Sequence, residues 1–215
     1  HKIDFSNSDM SNNKMAHVDF EGSDLSHTNL TNVELLGSNL SGVNLAGANL
    51  SGANLSGANL SGANLKGVIL DNSKLYGADL TGAYLENVSL KEVNIKGANF
   101  SGAYMVGVVL ENMDLRNADF NGIHMPGQKF TGLDLTGINL TNAVLKNSDF
   151  ENSNLTNASL NSAYLNSANF RNADLTNASL EKTDLGSSDF TNVILSNAKI
   201  QNSYFKNAKM DDMII

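Results

Sequence analysis

Large apolar residues recur at every fifth position from one end of the chain to the other. All 43 positions whose numbers are multiples of five, from Phe5 to Ile215, are Leu, Phe, Met or Ile. Blocks such as SGANL at 51–55 and 56–60 repeat this pattern, and the register never slips. A period of five matches neither the 3.6-residue period of an α-helix nor the two-residue period of a strand. The pattern therefore predicts a repeat protein whose chain turns once in every pentad.

The residue two places after each large apolar residue is suited to a tight turn. It is usually Gly or Asn, and 17 of the 18 glycines stand there, with Gly186 outside the pattern. Both residue types tolerate the positive φ that a type II turn requires at its third residue. The residue that follows is small, as at Ala53. We therefore expect Leu50–Ala53 to form one turn, followed by a short extended step to Leu55.

Phenylalanines in the apolar positions indicate how many pentads make one coil. The same interval of twenty residues separates Phe130, Phe150, Phe170 and Phe190, and also Phe100 and Phe120. Because aromatic rings pack well above one another, this interval predicts four pentads per coil. The 215 residues would then form a single all-β solenoid domain over 1–215, without insertions, of about 11 coils. The handedness preference of parallel crossovers predicts a right-handed helix.

The pentads also resemble those of a known family. The pattern Ala-Asn/Asp-Leu-Ser/Thr-Gly/Asn, as in Ala53–Gly57, is similar to that of the pentapeptide-repeat family over all 215 residues. The resemblance implies a right-handed quadrilateral parallel β-helix with Leu or Phe and the small residue pointing inward. It also implies the bacterial cytoplasm as the compartment. A minority of the family resemble duplex DNA in shape and charge and regulate DNA gyrase or topoisomerase IV.

Composition narrows the classes of function. The net charge of −8 argues against direct binding to nucleic acid or to an anionic membrane, and no apolar run approaches the ~20 residues of a membrane span. The chain has no Cys, and its four His (His1, His17, His27, His124) are not separated by multiples of twenty. We therefore predict no metal site, no cofactor and no catalytic centre, and the protein is not expected to be an enzyme.

One set of outward positions departs from the usual Asn or Asp. Multiples of twenty separate its members, which we call the aromatic stripe: Tyr84, Tyr104, His124, Tyr164 and Tyr204, with Val144 between His124 and Tyr164. An exposed aromatic surface of this kind is suited to anchoring a protein partner. Aromatic ladders also stabilise neighbouring strands, so both interpretations stay open. The stripe is the candidate partner-binding site.

The distribution of charge bears on the DNA-mimic alternative. Residues 1–44 carry six acidic and two basic residues, 45–110 carry four of each, and 111–215 carry twelve and eight. Asp114, Asp134 and Glu34 share one set of positions, but Lys14 and Lys74 share it too. The neutral middle therefore interrupts the continuous negative face that a duplex mimic requires.

Two segments stand apart from the regular pattern. Residues 121–130 contain the only Pro (Pro126) and place Gln128 at a small inward position, which predicts either a local kink with a partner site or simple drift of the repeat. At the other segment, Met213, Ile214 and Ile215 form an apolar end. Either a longer chain continues there, or this end contacts a second copy to give a homodimer.

Taken together, the residues predict a non-enzymatic, rod-like structural or protein-binding scaffold with an unknown protein partner. The alternative is an acidic DNA mimic that binds DNA gyrase or topoisomerase IV.

Overall fold

The computed structural model describes residues 2–110 and 113–215. They form two compact units, unit 1 (His1–Met113) and unit 2 (Asp114–Ile215), and each is described by itself. Among the described residues there is no helix and no strand longer than one bridged residue. Turns and single β-bridges alternate instead, one of each in most described pentads.

The turns have the predicted backbone conformation. Every described turn position from Asn7 to Asp212 has a positive φ, between 54° at Asp212 and 72° at Gly107. No described residue immediately before it has a positive φ, and the fourth turn residue donates its N–H to the first, as Ala53 does to Leu50 at 2.9 Å. Of the common β-turns, only type II combines these features, so the type II prediction is confirmed.

At some turn positions glycine is needed for two reasons: the backbone has a positive φ, and a side chain would collide with the preceding coil. A Cβ on Gly52 would lie 2.3 Å from Oδ1 of Asn32, and one on Gly47 would lie 2.6 Å from Nδ1 of His27. Asn and His at the turn position of one coil thus lie directly over the glycine of the next. This packing gives His27 a structural role at the turn.

The bridges define the coil. In most described pentads the residue before the large apolar side chain pairs in parallel with the residue twenty positions later. Such pairs run from Asp4↔Asp24 to Ser89↔Val109 in unit 1 and from Asp119↔Asn139 to Ile194↔Ile214 in unit 2. Each unit is therefore a four-sided parallel solenoid with twenty residues per coil, as the phenylalanine interval predicted. The total of about 11 coils and a single domain over 1–215 stay predictions.

All five N–H groups of the pentad Leu50–Asn54 have an acceptor. Three donate to an adjacent coil: Leu50 to Ile69 O (2.8 Å), Gly52 to Asp71 O (2.8 Å) and Asn54 to Val33 O (2.9 Å). The Ala53 N–H closes the turn by donating to Leu50 O (2.9 Å). The Ser51 N–H donates to the side chain of Asn49, at Oδ1 (3.0 Å). Because buried backbone donors are costly when unpaired, this pattern explains why Asn or Asp so often precedes the apolar residue.

The large apolar side chains fill the interior. They are buried at every fifth position from Phe20 to Leu195. In unit 2 successive rings of Phe130, Phe150, Phe170 and Phe190 lie 4.7, 4.8 and 4.9 Å apart, at interplanar angles of 12°, 3° and 30°. The predicted ladder of phenylalanines is thus present within this unit.

The segment 121–130 keeps the regular geometry. Gly127 has a φ of 70°, and the bridges His124↔Val144 and Lys129↔Asp149 stay in register on either side of it. Pro126 occupies the second turn position, where its restricted φ suits a type II turn. Gln128 is buried and donates its side-chain amide to the Lys129 carbonyl at 3.2 Å.

Hydroxyl groups at the small inward position bond to the backbone, with one exception among the described residues. Ser38 Oγ donates to Met15 O at 3.1 Å and accepts the Val18 N–H at 3.2 Å. Thr183 Oγ1 donates to Leu160 O at 2.8 Å. Ser73 is equally buried, yet its Oγ has no hydrogen-bond partner among the described residues.

We expect Ser73→Ala to raise the free energy of unfolding by about 1 kcal/mol, because it removes an unsatisfied buried hydroxyl at a position that usually holds Ala. Ser38→Ala in the same unit is the matched control and should lower it by about 1 kcal/mol, since two hydrogen bonds are lost. Urea unfolding followed by circular dichroism measures both. Equal shifts in the same direction would contradict the assignment.

Candidate protein-binding surface

Tyr84 and Tyr104 form an exposed stack on unit 1. They occupy the bridge position of successive coils, where Tyr84 pairs with Tyr104 in parallel. Their ring centroids are 5.0 Å apart with an interplanar angle of 11°, and the residues are 46% and 42% exposed. The geometry serves both interpretations of the sequence, since the rings contact each other between coils and also present apolar area to solvent.

A polar ladder precedes this aromatic pair in the same set of positions. Asn44 Nδ2 donates to Asp24 Oδ1 at 3.1 Å, and Asn64 Nδ2 donates to Asn44 Oδ1 at 3.0 Å. Asn64 then pairs with Tyr84. Each ladder Asn thus bonds to the preceding coil, and the two tyrosines continue the same column with ring stacking in place of amide hydrogen bonds.

Two valines extend the apolar surface beyond the predicted stripe. Val106 and Val109 follow Tyr104 in the same coil, and each is 39% exposed. Val109 stands one pentad after Tyr104 and therefore on the next side of the coil, so we call Tyr84, Tyr104 and Val106 the tyrosine–valine patch. The sequence contained the signal, because both valines stand at outward positions that usually hold polar residues, although neither belongs to the aromatic stripe. Lys66 and Glu86 occupy the same column as Val106, two coils and one coil before it. Lys66 Nζ forms a salt bridge with Glu86 Oε2 at 2.7 Å.

In unit 2 the stripe is interrupted. Bridges connect His124 to Val144, Val144 to Tyr164, Tyr164 to Asp184 and Asp184 to Tyr204. Asp184 therefore separates the two tyrosines, which are 56% and 52% exposed. The twenty-residue interval alone places Asp184 in this column, because it stands twenty residues after Tyr164, although the predicted stripe did not include it. The structure thus stacks Tyr84 with Tyr104 and does not stack Tyr164 with Tyr204.

The carboxylates form short columns rather than a long negative one. In unit 1 the column that contains Glu34 is of mixed charge, with pairs Lys14↔Glu34, Glu34↔Asn54 and Asn54↔Lys74. In unit 2, Asp134 pairs with Asn154, which pairs with Asp174. The charge of Asp114 is compensated by Arg116, whose Nη2 lies 2.7 Å from Asp114 Oδ2.

The apolar end of unit 2 is largely uncovered. Ile214 is 56% exposed and Ile215 is 89% exposed, whereas Met213 is half-buried. Ile214 bridges to Ile194 and points outward, as its position in the pentad predicted. Met210 and Ile200 of the same last coil are also exposed.

The described residues contain no group of three or more His, Asp and Glu side chains placed to hold a metal ion. Nor do they form any helix of the length and apolar character that crossing a bilayer demands.

The fold and surface define a class, the four-sided β-helix repeat proteins. Two family models match the chain: pentapeptide repeats, in eight copies over residues 3–42, 38–77, 73–112 and 173–212, and a pentapeptide repeat region over residues 103–180. The chain therefore belongs to the pentapeptide-repeat family. Membership implies a right-handed quadrilateral β-helix, and proteins of this family are generally non-enzymatic scaffolds.

Several solved structures are similar to this chain. HetL, a pentapeptide repeat protein involved in heterocyst differentiation regulation in Nostoc sp. strain PCC 7120, is 29% identical over 99% of this chain and 89% of its own, with a TM-score of 0.39. Rfr23 from Cyanothece 51142 is 27% identical over 57% and 86%, with a TM-score of 0.40. QnrB1, a plasmid-mediated fluoroquinolone resistance protein, is 17% identical over 93% and 92%, with a TM-score of 0.48. No curated protein matches the chain.

The outward Asp residues cap turns in the same way as Asn49 does. At Asp134, the Thr136 hydroxyl and then the Thr136 N–H, which lies 3.1 Å from Oδ1, lower the pKa of the carboxyl group from its usual value. Arg116 acts in the same direction, and burial and Asp114 oppose it. Asp134 therefore caps its turn best as a carboxylate.

Because the pKa of Asp134 is lower in the folded state, its contribution to stability is present above the unfolded pKa of about 4 and is lost as the pH falls through the folded pKa. Asp134→Asn retains an acceptor oxygen but cannot titrate. We expect the urea midpoint of the native chain to fall more steeply below about pH 4 than that of Asp134→Asn. Parallel midpoint curves for the two proteins would contradict this role for Asp134.

Proposed function

We propose that this protein is a non-enzymatic scaffold that binds a protein partner through the tyrosine–valine patch. The observation that carries the proposal is the exposed stack of Tyr84 on Tyr104, with the exposed Val106 two residues after Tyr104. Tyr and other aromatic side chains supply large contact areas at low entropic cost and are enriched at the centres of interfaces. His124, Tyr164 and Tyr204 of unit 2 are proposed as further contacts of the same partner.

The backbone of unit 1 supports this function by holding the patch rigid. Tyr84 N–H donates to Ala63 O and Tyr104 N–H donates to Ala83 O, each at 2.9 Å. A partner would therefore bind a surface that is already ordered, which lowers the entropic cost of association. The net charge of −8 favours a protein partner over nucleic acid or an anionic membrane, and we infer a role in the bacterial cytoplasm without a cofactor.

Site-specific photo-crosslinking tests the patch. A benzophenone amino acid in place of Tyr104 should capture a discrete partner in cells that naturally contain the protein, and the additional change Val106→Asp should reduce the yield at least fivefold. The matched control carries the same crosslinker in place of Tyr76, which is 55% exposed in a different column. Equal capture from positions 104 and 76, or yield unaffected by Val106→Asp, would overturn the proposal.

The DNA-mimic alternative is favoured by one observation, the pair Asp134 and Asp174 in one column of unit 2, with Asp134 held as a carboxylate. The captured partner decides between the two functions. The mimic would be established if a crosslinker in place of Tyr164 in unit 2 captures a type II topoisomerase and this protein inhibits supercoiling by that enzyme on titration. Asp134→Asn with Asp174→Asn should then abolish both effects. Capture that depends on Val106 instead establishes the scaffold.

We also propose that a second copy of the chain covers Met213, Ile214 and Ile215. The support is the exposure of Ile214 and Ile215, since large exposed apolar side chains that lie close together commonly mark an interface, and these two are consecutive in the chain. Sedimentation velocity over a range of concentrations should show a dimer, and Ile214→Asp should weaken the dimer at least tenfold. Tyr76→Asp, on another face, should leave it unchanged. A monomer at all concentrations would overturn the proposal.

A further inference from the structure

Gly186 breaks the sequence pattern and opens a groove in unit 2. It occupies the position directly after Leu185, outside the positive-φ turn position of the other described glycines. The same position in the neighbouring coils holds Lys146, Asn166 and Lys206. An open surface groove of about 420 Å³ is lined by Gly186 together with Lys146, Asn166 and Lys206 of the same column. The missing side chain thus creates a recess on an otherwise filled column.

The floor and one wall of the recess are well placed for a ligand. A Cβ on Gly186 would lie 3.4 Å from Asn166 Nδ2, 3.4 Å from Asp184 Oδ1 and 3.5 Å from Tyr204 Cε1. The side-chain oxygen of Asp184 already accepts the Gly186 N–H, at 3.1 Å. What faces the open volume is therefore the edge of an exposed aromatic ring and an amide donor.

The charged groups at the recess are mostly positive. Lys146 and Lys206 both line it, and neither forms a salt bridge with a described residue. Asp184 is the opposing charge, and the hydrogen bond that it accepts from Gly186 occupies part of its acceptor capacity. Ser187 adds a further hydroxyl to the lining. On a chain with a net charge of −8, two unpaired lysines beside a donor-rich recess form a local site for an anion.

We propose that this recess binds an organic anion in which a carboxylate is attached to a flat apolar body. The flat body would lie over Gly186 against the Tyr204 ring, and the carboxylate would bond to Lys206 or Lys146 and to Asn166 Nδ2. The carboxylate has two sources, a free small molecule or an acidic residue next to an aromatic residue in a protein. The site does not rest on the tyrosine–valine patch, which lies in unit 1.

Titration of the ¹⁵N-labelled full chain tests the site. Phenylacetate should shift the amide signals of Gly186 and Ser187, whereas phenylacetamide, its neutral isostere, should bind at least tenfold more weakly. Inorganic phosphate, an anion without the flat body, should also bind at least fivefold more weakly. Equal binding of phenylacetate and phenylacetamide, or no shift with phenylacetate, would overturn the proposal.

Two variants complete the test. Gly186→Asn restores the residue type of Asn166 and fills the recess, and it should fold because a Cβ there meets only ordinary contacts and no positive φ. It should weaken phenylacetate binding at least tenfold, and Lys206→Met should weaken it at least fivefold. Lys199→Met, an exposed lysine in another column, is the control and should have no effect. Equal effects of Lys206→Met and Lys199→Met would overturn the role of charge.

A short peptide with acetylated Phe-Asp distinguishes the two sources of the carboxylate. Binding at least tenfold tighter than that of phenylacetate identifies a protein segment as the ligand, and tighter binding of phenylacetate identifies a small molecule. If neither phenylacetate nor the peptide binds, the proposed anion site is wrong. That result would not change the outcome of crosslinking from position 104.

Discussion

The need to pair the backbone N–H groups of a five-residue unit governs this structure. A pentad is too short to pair with itself beyond one turn bond, so three of its N–H groups depend on the coils before and after it. Leu50, Gly52 and Asn54 each donate to an adjacent coil at 2.8–2.9 Å. The fifth donor, on Ser51, uses the Asn49 side chain. The same arrangement binds the coils together, so cohesion between coils and satisfaction of the backbone are one requirement.

This requirement separates the positions of a pentad by function. The large apolar residue and the small residue fill the interior, and the turn residue must accept a positive φ. The bridge residue and the residue after each large apolar position point outward, so their side chains can vary without changing the interior. Tyr84, Val106 and Gly186 are departures at such positions, and each changes the surface without disturbing the register of bridges around it. Candidate functional features therefore occur at the outward positions, where neither the interior nor the turn restricts the residue type.

The sequence predicted the parts of the structure that repeat. The twenty-residue coil, the type II turn at Leu50–Ala53 and the stack from Phe130 to Phe190 all follow from one period, because identical pentads must find identical environments. Single departures were harder to predict. The position of Asp184 follows from the twenty-residue interval, but the recess at Gly186 depends on how the Tyr204 ring lies. The lack of a partner for the Ser73 hydroxyl depends on the positions of the backbone atoms around it. Such details are set by side-chain packing, which the period does not encode.

The twenty-residue coil with four turns also sets how such a surface can evolve. Within a unit, gaining or losing twenty residues moves later residues by one coil and leaves every column aligned. Gaining or losing a single pentad keeps the interior filled but rotates everything after it by a quarter turn. A patch such as Tyr84 and Tyr104 would then face a different direction from the columns before it. Surfaces on this scaffold can thus be re-aimed in quarter-turn steps by small duplications, without redesign of the core.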